Sequence, residues 1–294
     1  MKLTAQADFF IENYGVKNGV DFLKNLGYQN MIYTITARVL EPFLESVDDN
    51  EMKKKFGEIQ DVMKQENINL LYTTLREEVY SDLYSCTPES KIKLVINAIK
   101  ATAYMGCDTL VVRPICFRRS TADAWKKSKE CTYEIYGAAK KVADELGVKI
   151  AFFNNTKQLC FTSGTYSYGC RAAELLELAN EFDSGVVINP VYALKAGERV
   201  QELLSELGDK VLGFMIEDKN QRIESQGIPF FGAVDYYGLI DYFKENPSDM
   251  AMVMSYTPIM NRYKEFASDM NFVQTLSKAF MKVAALIAGK ETDE

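Results

Sequence analysis

A short phrase that recurs along the chain constrains its fold more than any other feature. In each copy an amphipathic helical stretch ends at a glycine, and an apolar extended run follows within a few residues. The least ambiguous copies are centred on Gly27, Gly106, Gly147 and Gly208. Glycine adopts the left-handed conformation at a helix C-terminus without a steric cost from Cβ. Each phrase therefore predicts a helix, its C-terminal cap and a strand, in that order.

Other segments extend this alternation along the chain. Continuously apolar runs predict further strands at 3–8, 69–74, 185–189 and 250–256, as is typical of parallel strands covered on both faces. Apolar residues at helical spacing predict helices at 49–65, 89–104, 122–146, 171–182, 199–207, 236–245 and 271–288. About eight strands alternating with about eight helices favour the α/β class and a (β/α)8 TIM barrel over an open doubly wound sheet. Because no linker interrupts the pattern, we expect residues 1–294 to form a single domain.

The composition excludes several classes of function. The chain has 34 Lys and Arg against 41 Asp and Glu, a net charge of −7, which argues against a nucleic-acid partner. It has no histidine, so catalytic triads, His–Cys dyads and zinc sites with a His ligand are impossible. No GxGxxG follows the first strand, which weakens a dinucleotide-binding interpretation.

Cysteine spacing and hydropathy give expectations about location. The six cysteines show no CxxC spacing, which predicts reduced thiols rather than a zinc ribbon or a disulfide scaffold. The chain has neither an N-terminal apolar signal region nor a run of roughly 18 apolar residues. We therefore expect a cytoplasmic protein without membrane association. A homo-oligomer remains possible, because the outer helices of such barrels often form dimers or tetramers.

Four phrases in the second half of the chain resemble a known family. GVKIAFFNNT, VVINPVYALKAGE and VLGFMIEDKN resemble its fifth, sixth and seventh strands, and IPFFGAVDYYGLIDYF resembles its segment entering the seventh helix. The family is that of the xylose isomerase-like TIM barrels, which include sugar phosphate isomerases and epimerases and share the fold of endonuclease IV. The resemblance covers essentially the whole chain. It implies a protein that acts on or binds a sugar or sugar phosphate at the C-terminal mouth of the barrel.

The metal site that the resemblance implies is altered in this sequence. Family members hold a divalent metal with Glu, Asp, His and Glu from strands five to eight. The matching places carry Phe153, Asn189, Met215 and either Met254 or Ser255. None of these supplies the anionic oxygens that hard divalent cations prefer. We therefore expect no metal and no other cofactor, and the loss of the family's metal-assisted proton abstraction.

Candidate functional residues follow from the rule that TIM barrels carry their chemistry at the C-terminal ends of the strands. Glu217 is the candidate acid or base, because it lies two residues beyond Met215 and strand alternation turns both inward. The alternative for Glu217 is a surface or salt-bridged glutamate. The candidate substrate-binding residues are Arg113, Asn154, Asn155, Asn189, Tyr192, Asp218, Arg222, Tyr256 and Arg262.

Each substrate-binding candidate has a chemical reason. The arginines suit phosphate or carboxylate through a forked guanidinium, and the asparagines suit sugar hydroxyls because an amide both donates and accepts. Tyr192 and Tyr256 offer rings for stacking on a sugar. Asp218 and Arg222 are carried over from the resemblance, since a polar residue of that loop contacts substrate in the family. Helix caps, ion pairs and packing are the structural alternatives.

Two functional hypotheses remain open at this stage. The first is an isomerase or epimerase acting on a sugar or sugar phosphate, either without metal or with a site rebuilt from Glu217, Asp218 and Asp235. The second is a non-catalytic descendant that binds a carbohydrate, a phosphosugar or a partner through the old pocket. A nuclease is disfavoured by the acidic balance and the altered metal places, because phosphodiester cleavage on this scaffold uses several metal ions.

Overall fold

A closed barrel of eight parallel strands forms the centre of the protein in the computed structural model. The structure describes residues 1–36, 40, 49–76, 88–116, 123–156, 158–160, 163–165, 167–219, 226–262, 265 and 269–290. The strands are β1 (Lys2–Gln6), β2 (Asn30–Ile35), β3 (Asn69–Leu75), β4 (Thr109–Val112), β5 (Lys149–Phe153), β6 (Gln158–Cys160), β7 (Ser163–Thr165), β8 (Val186–Ile188), β9 (Val211–Ile216), β10 (Asp218–Lys219), β11 (Gln226–Gly227) and β12 (Ala251–Met254). Around the barrel the order is β1-β12-β9-β8-β5-β4-β3-β2, whereas β6 with β7 and β10 with β11 form small antiparallel pairs.

Helices alternate with the barrel strands. Within the described residues they are α1 (Asp8–Tyr14), α2 (Val16–Asn25), α3 (Asp49–Gln65), α4 (Pro88–Tyr104), α5 (Ala124–Leu146), α6 (Ala172–Glu181), α7 (Pro190–Ala196), α8 (Val200–Leu207), α9 (Tyr236–Glu245), α10 (Thr257–Arg262) and α11 (Met270–Ile287). In this part of the chain, no helix has the length and apolar character needed to cross a bilayer. The predicted (β/α)8 TIM barrel is confirmed, and the single domain over 1–294 stays a prediction.

The recurring helix–glycine–strand phrase has positive φ at its glycines, but Gly208, with ψ −124°, lies outside the left-handed helical region that the sequence predicts. Gly27, Gly106, Gly147 and Gly208 all have positive φ, between 52° and 102°. The predicted helices at 49–65 and 236–245 have the observed bounds. The strand predicted at 3–8 ends earlier, at Gln6, because Asp8 already begins α1. Likewise the strand predicted at 250–256 ends at Met254, and a helix follows almost at once.

Alternation along the strands divides the core into two regions. Side chains that face the barrel axis form an inner cluster whose members include Ile32, Tyr72, Val111, Ala151, Val187, Met215 and Val253. The side chains between them on the same strands pack outward against the helices, as Phe152, Ile188, Phe214 and Met254 do. Successive strand residues point to opposite faces of a sheet. The inner cluster therefore shows which residues face the axis closer to the C-terminal ends of the strands: those two positions beyond a cluster member.

Tyr72 fills the lower barrel interior opposite a strand glycine. A Cβ built on Gly213 would lie 2.7 Å from Tyr72 Oη and 3.3 Å from the Ala251 carbonyl oxygen. Tyr72 is buried, and its hydroxyl has no hydrogen-bond partner among the described residues. The glycine in β9 is thus explained by the space that a tyrosine on the other side of the barrel occupies.

Replacing this glycine tests the packing of the barrel interior. We expect Gly213→Ala to lower the free energy of unfolding by about 1–3 kcal/mol, because the new methyl overpacks against Tyr72. Tyr72→Phe by itself is expected to be neutral or stabilising, since it removes a buried hydroxyl without a partner. The double variant should recover much of the loss. Urea unfolding of the three variants and the parent measures this, and strictly additive effects would contradict the proposed contact.

Candidate functional site

A polar layer closes the barrel interior at the C-terminal ends of the strands. Each member lies at the C-terminal end of its strand or directly after it, and faces the axis by alternation. The layer consists of Gln6, Thr34, Thr74, Arg113, Phe153, Asn189, Glu217 and Ser255. Apart from Phe153 all of these side chains are polar and buried. A polar layer above an apolar interior marks the mouth as the candidate site.

Glu217 lies in this layer and is held at two points. Asn189 Nδ2 donates a hydrogen bond to Glu217 Oε2 at 2.8 Å, and Tyr236 Oη donates to the Glu217 carbonyl oxygen at 2.6 Å. Burial, followed by the charges of Asp218 and Glu217, raises the pKa of Tyr236 well above its usual value, so the phenol stays protonated and donates. With 7% of its surface exposed, Glu217 is a buried carboxyl at the mouth. Its burial and its hydrogen bond to Asn189 are consistent with the predicted inward orientation, and its acid–base role stays a prediction.

Asn189 has a structural and a positioning role at once. It is the N-cap of α7, and its Oδ1 accepts hydrogen bonds from the backbone N–H groups of Val191 at 3.0 Å and Tyr192 at 3.3 Å. Asparagine is a favoured N-cap residue, and Pro190 occupies the helix start where its missing N–H costs nothing. Capping fixes the amide so that its Nδ2 points at Glu217.

Arg113 and Tyr192 form the positive side of the mouth. The guanidinium carbon of Arg113 lies 3.9 Å from the centroid of the Tyr192 ring. Arg113 is buried and follows β4, whereas Tyr192 is half-buried on α7. Stacking of this kind orients the planar guanidinium and combines cation–π attraction with packing. The structure thus brings together two candidates that are far apart in the sequence.

Polar residues that sequence reasoning missed lie on the first three strands and beside β12. Gln6 Nε2 donates to Thr34 Oγ1 at 2.9 Å, and Thr74 Oγ1 bonds Thr34 Oγ1 at 3.0 Å. Thr257 Oγ1 donates to Asp8 Oδ2 at 2.6 Å. Counting every second residue from the apolar inner positions predicts that Thr34 and Thr74 face inward. For Asp8 the signal is weaker, since only its place after the first strand points to the mouth.

Asn154 and Asn155 hold the barrel and its loops together. Asn154 exchanges two hydrogen bonds with the main chain of Asn189, with its Nδ2 3.0 Å from the carbonyl oxygen and its Oδ1 2.6 Å from the backbone N. Asn155 Nδ2 donates to the carbonyl oxygens of Pro114 at 3.2 Å and Tyr168 at 2.9 Å. Both side chains are fully buried. Their amides are used in positioning, and sugar binding by either stays a prediction.

Asp218 holds the base of the loop after β9. Its Oδ1 accepts from the backbone N–H groups of Lys219 at 2.7 Å and Val234 at 3.1 Å, and its Oδ2 accepts from Gly232 at 2.9 Å. Asp235 caps α9 by accepting from Gly238 N at 3.0 Å. Both oxygens of the buried Asp218 are thus used by the main chain, so a direct contact with substrate would require the loop to rearrange.

The remaining candidates lie elsewhere or outside the described residues. Tyr256 packs in the outer core, where its hydroxyl lies 3.0 Å from Tyr28 Oη and donates to the Ser277 carbonyl oxygen at 3.2 Å. It therefore faces away from the mouth, because the strand alternation that turns Ser255 inward turns Tyr256 outward. Arg222 lies outside the described residues, and so does the side chain of Arg262 at the end of α10.

The places that match the family's metal ligands do not fit a divalent metal. Met215 belongs to the inner cluster and Phe153 packs against it from the mouth layer, whereas Met254 packs outward with the helices, which leaves Ser255 as the inward residue after β12. Asn189 has its amide engaged as a helix cap and as a donor to Glu217. Among the described residues no group of three Asp, Glu or Cys side chains stands close enough to hold a metal ion. A ring, a thioether, an amide and a hydroxyl lack the charge that such a cation requires.

Comparison with known proteins identifies the fold. No family model matches the sequence, and no curated protein is significantly similar to it. Among solved structures, D-psicose 3-epimerase from Clostridium cellulolyticum H10, solved with D-tagatose, has 13% identity and a TM-score of 0.68 over 98% of this chain and 99% of that chain. A putative xylose isomerase from Rhodospirillum rubrum ATCC 11170 has 14% identity and a TM-score of 0.67, over 99% and 100%. The IOLI protein with a bound zinc atom has 16% identity and a TM-score of 0.66 over the whole of both chains. The chain has the xylose isomerase-like TIM-barrel fold.

The role of Asp218 can be tested against that of Asp235. We expect Asp218→Asn to lower the free energy of unfolding by about 1–3 kcal/mol, because an amide NH2 would face buried N–H donors. Asp235→Asn is the matched control, since asparagine caps helices as well as aspartate does. Thermal unfolding and amide hydrogen exchange at Gly232 and Val234 measure both effects. Equal stability of the two variants would contradict the anchoring role.

Proposed function

We propose that the chain is a barrel of the sugar isomerase or epimerase type that binds a sugar or sugar phosphate at its C-terminal mouth and uses Glu217 as its acid–base group without a metal ion. The observation that carries this proposal is the buried Glu217 carboxyl, held by Asn189 at 2.8 Å within the polar layer. A buried carboxyl oriented by a fixed donor can act as a general acid or base when a substrate proton lies within hydrogen-bond reach. Burying a carboxylate costs free energy, and ionisable groups in such environments cluster at functional sites.

The chemistry proposed for Glu217 is proton transfer at a carbon next to a carbonyl group. The carboxylate takes the proton from that carbon, the C–H electron pair becomes the C=C bond of an enediolate, and the carbonyl π pair goes to its oxygen. The carboxyl then returns the proton to the former carbonyl carbon, while the hydroxyl proton of the first carbon passes to the enediolate oxygen, so that the carbonyl forms at the first carbon. The Asn189 hydrogen bond fixes the orientation of the carboxylate, so little reorganisation is needed when the proton moves. The isomerisation thus needs two proton transfers, and Glu217 is proposed to carry the one between the two carbons.

Arg113 and Tyr192 are proposed as the anchor for the charged part of the ligand. The stacked guanidinium belongs to Arg113, directly after β4, and β4 is two strands away from β8, which Asn189 follows. A fixed guanidinium recognises phosphate or carboxylate through paired N–H donors. This interpretation favours a sugar phosphate or sugar acid over a neutral sugar. A chain of net charge −7 can bind a small anion at one arginine, whereas its overall charge disfavours a nucleic acid.

The solved structures support the substrate class through the fold. The psicose epimerase was solved with D-tagatose and the R. rubrum protein is described as a putative xylose isomerase, so carbohydrates are processed on barrels of this shape. Fold alone does not establish activity. The specific support therefore comes from Glu217, Asn189 and Arg113. We also propose that the protein is cytoplasmic and has no membrane partner, and we leave open whether it forms a homo-oligomer.

A second candidate function is binding without turnover. It is favoured by the four places that match the family's metal ligands, since Phe153, Asn189, Met215 and Ser255 include no carboxylate. Without the metal, a reaction must polarise the substrate carbonyl by other means. A protein that keeps the mouth but has lost turnover would bind the same sugars and release them unchanged.

Exchange of substrate hydrogen with solvent tests the role of Glu217. In D2O we expect the parent protein to incorporate deuterium next to the carbonyl of a ketose or ketose phosphate, followed by proton NMR. Glu217→Gln keeps the size and removes the base, so the rate should fall about 10²- to 10⁴-fold. The control is Glu202→Gln, an exposed change on α8 beside Arg199.

Two outcomes would count against this proposal. Unchanged exchange in Glu217→Gln would remove Glu217 from the mechanism. Saturable sugar binding with no exchange in the parent protein would favour the second candidate, binding without turnover.

Metal loading tests the proposed metal-free site. After incubation with Mn²⁺, Co²⁺ and Zn²⁺ and desalting, elemental mass spectrometry should find far less than one metal per chain, because the inward residues that the structure describes offer no set of anionic ligands. Chelation should leave sugar binding unchanged. About one metal per chain would contradict the proposal and would direct mutagenesis to Glu217, Asp218 and Asp235.

A further inference from the structure

Three neighbouring strands bring polar side chains to one level of the mouth. In the register of the sheet, Ala5 of β1 pairs with Met254 of β12, and Met254 pairs with Ile216 of β9. These three residues face the outer core. The residues that follow them, Gln6, Ser255 and Glu217, therefore face inward side by side, about 4.8 Å apart along the sheet by ordinary strand spacing.

Buried oxygens on β1, α1 and the end of β12 lack a hydrogen-bond partner among the described residues. They are Gln6 Oε1, Asp8 Oδ1 and Ser255 Oγ. The three residues are 7%, 2% and 1% exposed. Buried polar atoms in proteins almost always have a partner, and each exception calls for an explanation such as a water, an ion or a ligand. Three such atoms on adjacent segments at the mouth indicate a common cause.

The other polar atoms of two of these side chains are already fixed by the protein. Gln6 Nε2 is engaged with Thr34 Oγ1 at 2.9 Å, and Asp8 Oδ2 accepts from Thr257 Oγ1 at 2.6 Å. These bonds set which way the amide and the carboxyl lie, so Gln6 Oε1 and Asp8 Oδ1 hold fixed positions before any ligand arrives. Preorganised groups bind at a lower entropic cost than flexible ones.

We propose that Gln6, Asp8 and Ser255 form a subsite that binds the neutral hydroxyl groups of a polyhydroxylated ligand. It rests on the proposed function and deepens it, because it identifies which end of the sugar lies against β1 and β12. Amide and carboxyl oxygens accept hydrogen bonds, and the serine hydroxyl both donates and accepts. Vicinal hydroxyls of a sugar match this set, since each hydroxyl donates one hydrogen bond and accepts others.

The electrostatics of Asp8 favour a neutral partner. Burial raises the pKa of the Asp8 carboxyl, against the smaller opposing effects of the Thr257 and Thr34 hydroxyls and of the Arg76 charge. A carboxyl that keeps its proton attracts a cation weakly, and an ionised one repels an anion. An alcohol hydroxyl suits both forms. Hydroxyl groups therefore fit this subsite in either protonation state, whereas the ionised form repels a phosphate.

The barrel order sets how the ligand lies across the mouth. Following the strands from β12 through β9, β8 and β5 to β4 takes four steps in an eight-stranded ring. Ser255 therefore stands opposite Arg113, with Glu217 on the strand next to Ser255. A sugar phosphate or sugar acid would lie with its hydroxyl-bearing end on β1 and β12 and its anionic end toward Arg113. In this orientation the subsite places the sugar carbons beside Glu217.

Calorimetric titration with D-tagatose, D-allulose and D-fructose 6-phosphate tests the subsite. Ser255→Ala should weaken binding of these probes about tenfold, and Gln6→Met, which keeps the side-chain length without the amide, should weaken it at least as much. Because Ser255 Oγ has no hydrogen-bond partner within the described part of the chain, Ser255→Ala should leave the melting temperature unchanged or raise it. Ser277→Ala is the matched control, since it removes another buried hydroxyl without a hydrogen-bond partner among the described residues, on α11 and away from the mouth.

The outcomes separate the two proposals. Binding by the parent protein that is unchanged in Ser255→Ala and Gln6→Met overturns the subsite and leaves the proposed function standing. Loss of binding together with a lowered melting temperature in Ser255→Ala assigns a structural role and also overturns it. Inorganic phosphate serves as a probe of the anionic end, and its binding should be insensitive to Ser255→Ala. If the parent protein binds none of the sugar probes, both proposals are overturned.

Discussion

Closure of eight parallel strands into a ring is the constraint on which the rest of the structure depends. A closed sheet has an inside, and the pleat allows each strand to send only every second side chain into it. In this chain the lower positions are apolar and fill the interior, with the Tyr72 ring taking the space left by Gly213. Because the interior is full, the first level at which a ligand can meet the axis-facing side chains is the polar layer at the mouth.

Hydrogen bonding within the protein then decides which polar residues of that region remain available for chemistry. Asn154, Asn155 and Asp218 have suitable functional groups, but their oxygens and nitrogens are used to join strands and loops. Glu217 differs because the Asn189 bond orients its carboxyl, and Arg113 is oriented by stacking on Tyr192. Residues of the same chemical type thus fall into two groups: those whose polar atoms stabilise the loops and strand ends, and those whose polar groups are oriented toward the mouth.

The metal-free site that we propose changes what the mouth must do if it is catalytic. A divalent cation polarises a carbonyl strongly, and a barrel without suitable ligands must rely on fixed dipoles, a guanidinium and hydroxyl donors in a low-dielectric region. The inward set of Gln6, Ser255, Glu217, Asn189 and Arg113 contains such groups. The same groups also suit reversible binding of a polyhydroxylated anion, which is why exchange and binding have to be measured separately.

The sequence alone determined the fold, because helix caps, apolar strands and their order are local properties. Gly27, Gly106, Gly147 and Gly208 marked the helix ends, and spacing from Met215 turned Glu217 inward. Only the tertiary structure decided that Ser255 rather than Met254 faces the axis, that Tyr256 packs outward on Tyr28, and that Asp218 is used by the main chain. The physical reason is that strand ends and hydrogen-bond partners depend on segments far apart in the sequence: a one-residue shift in where a strand ends reverses which side chain faces inward. Asp8 and Thr257, 249 positions apart, bond to each other only after the barrel closes β1 against β12.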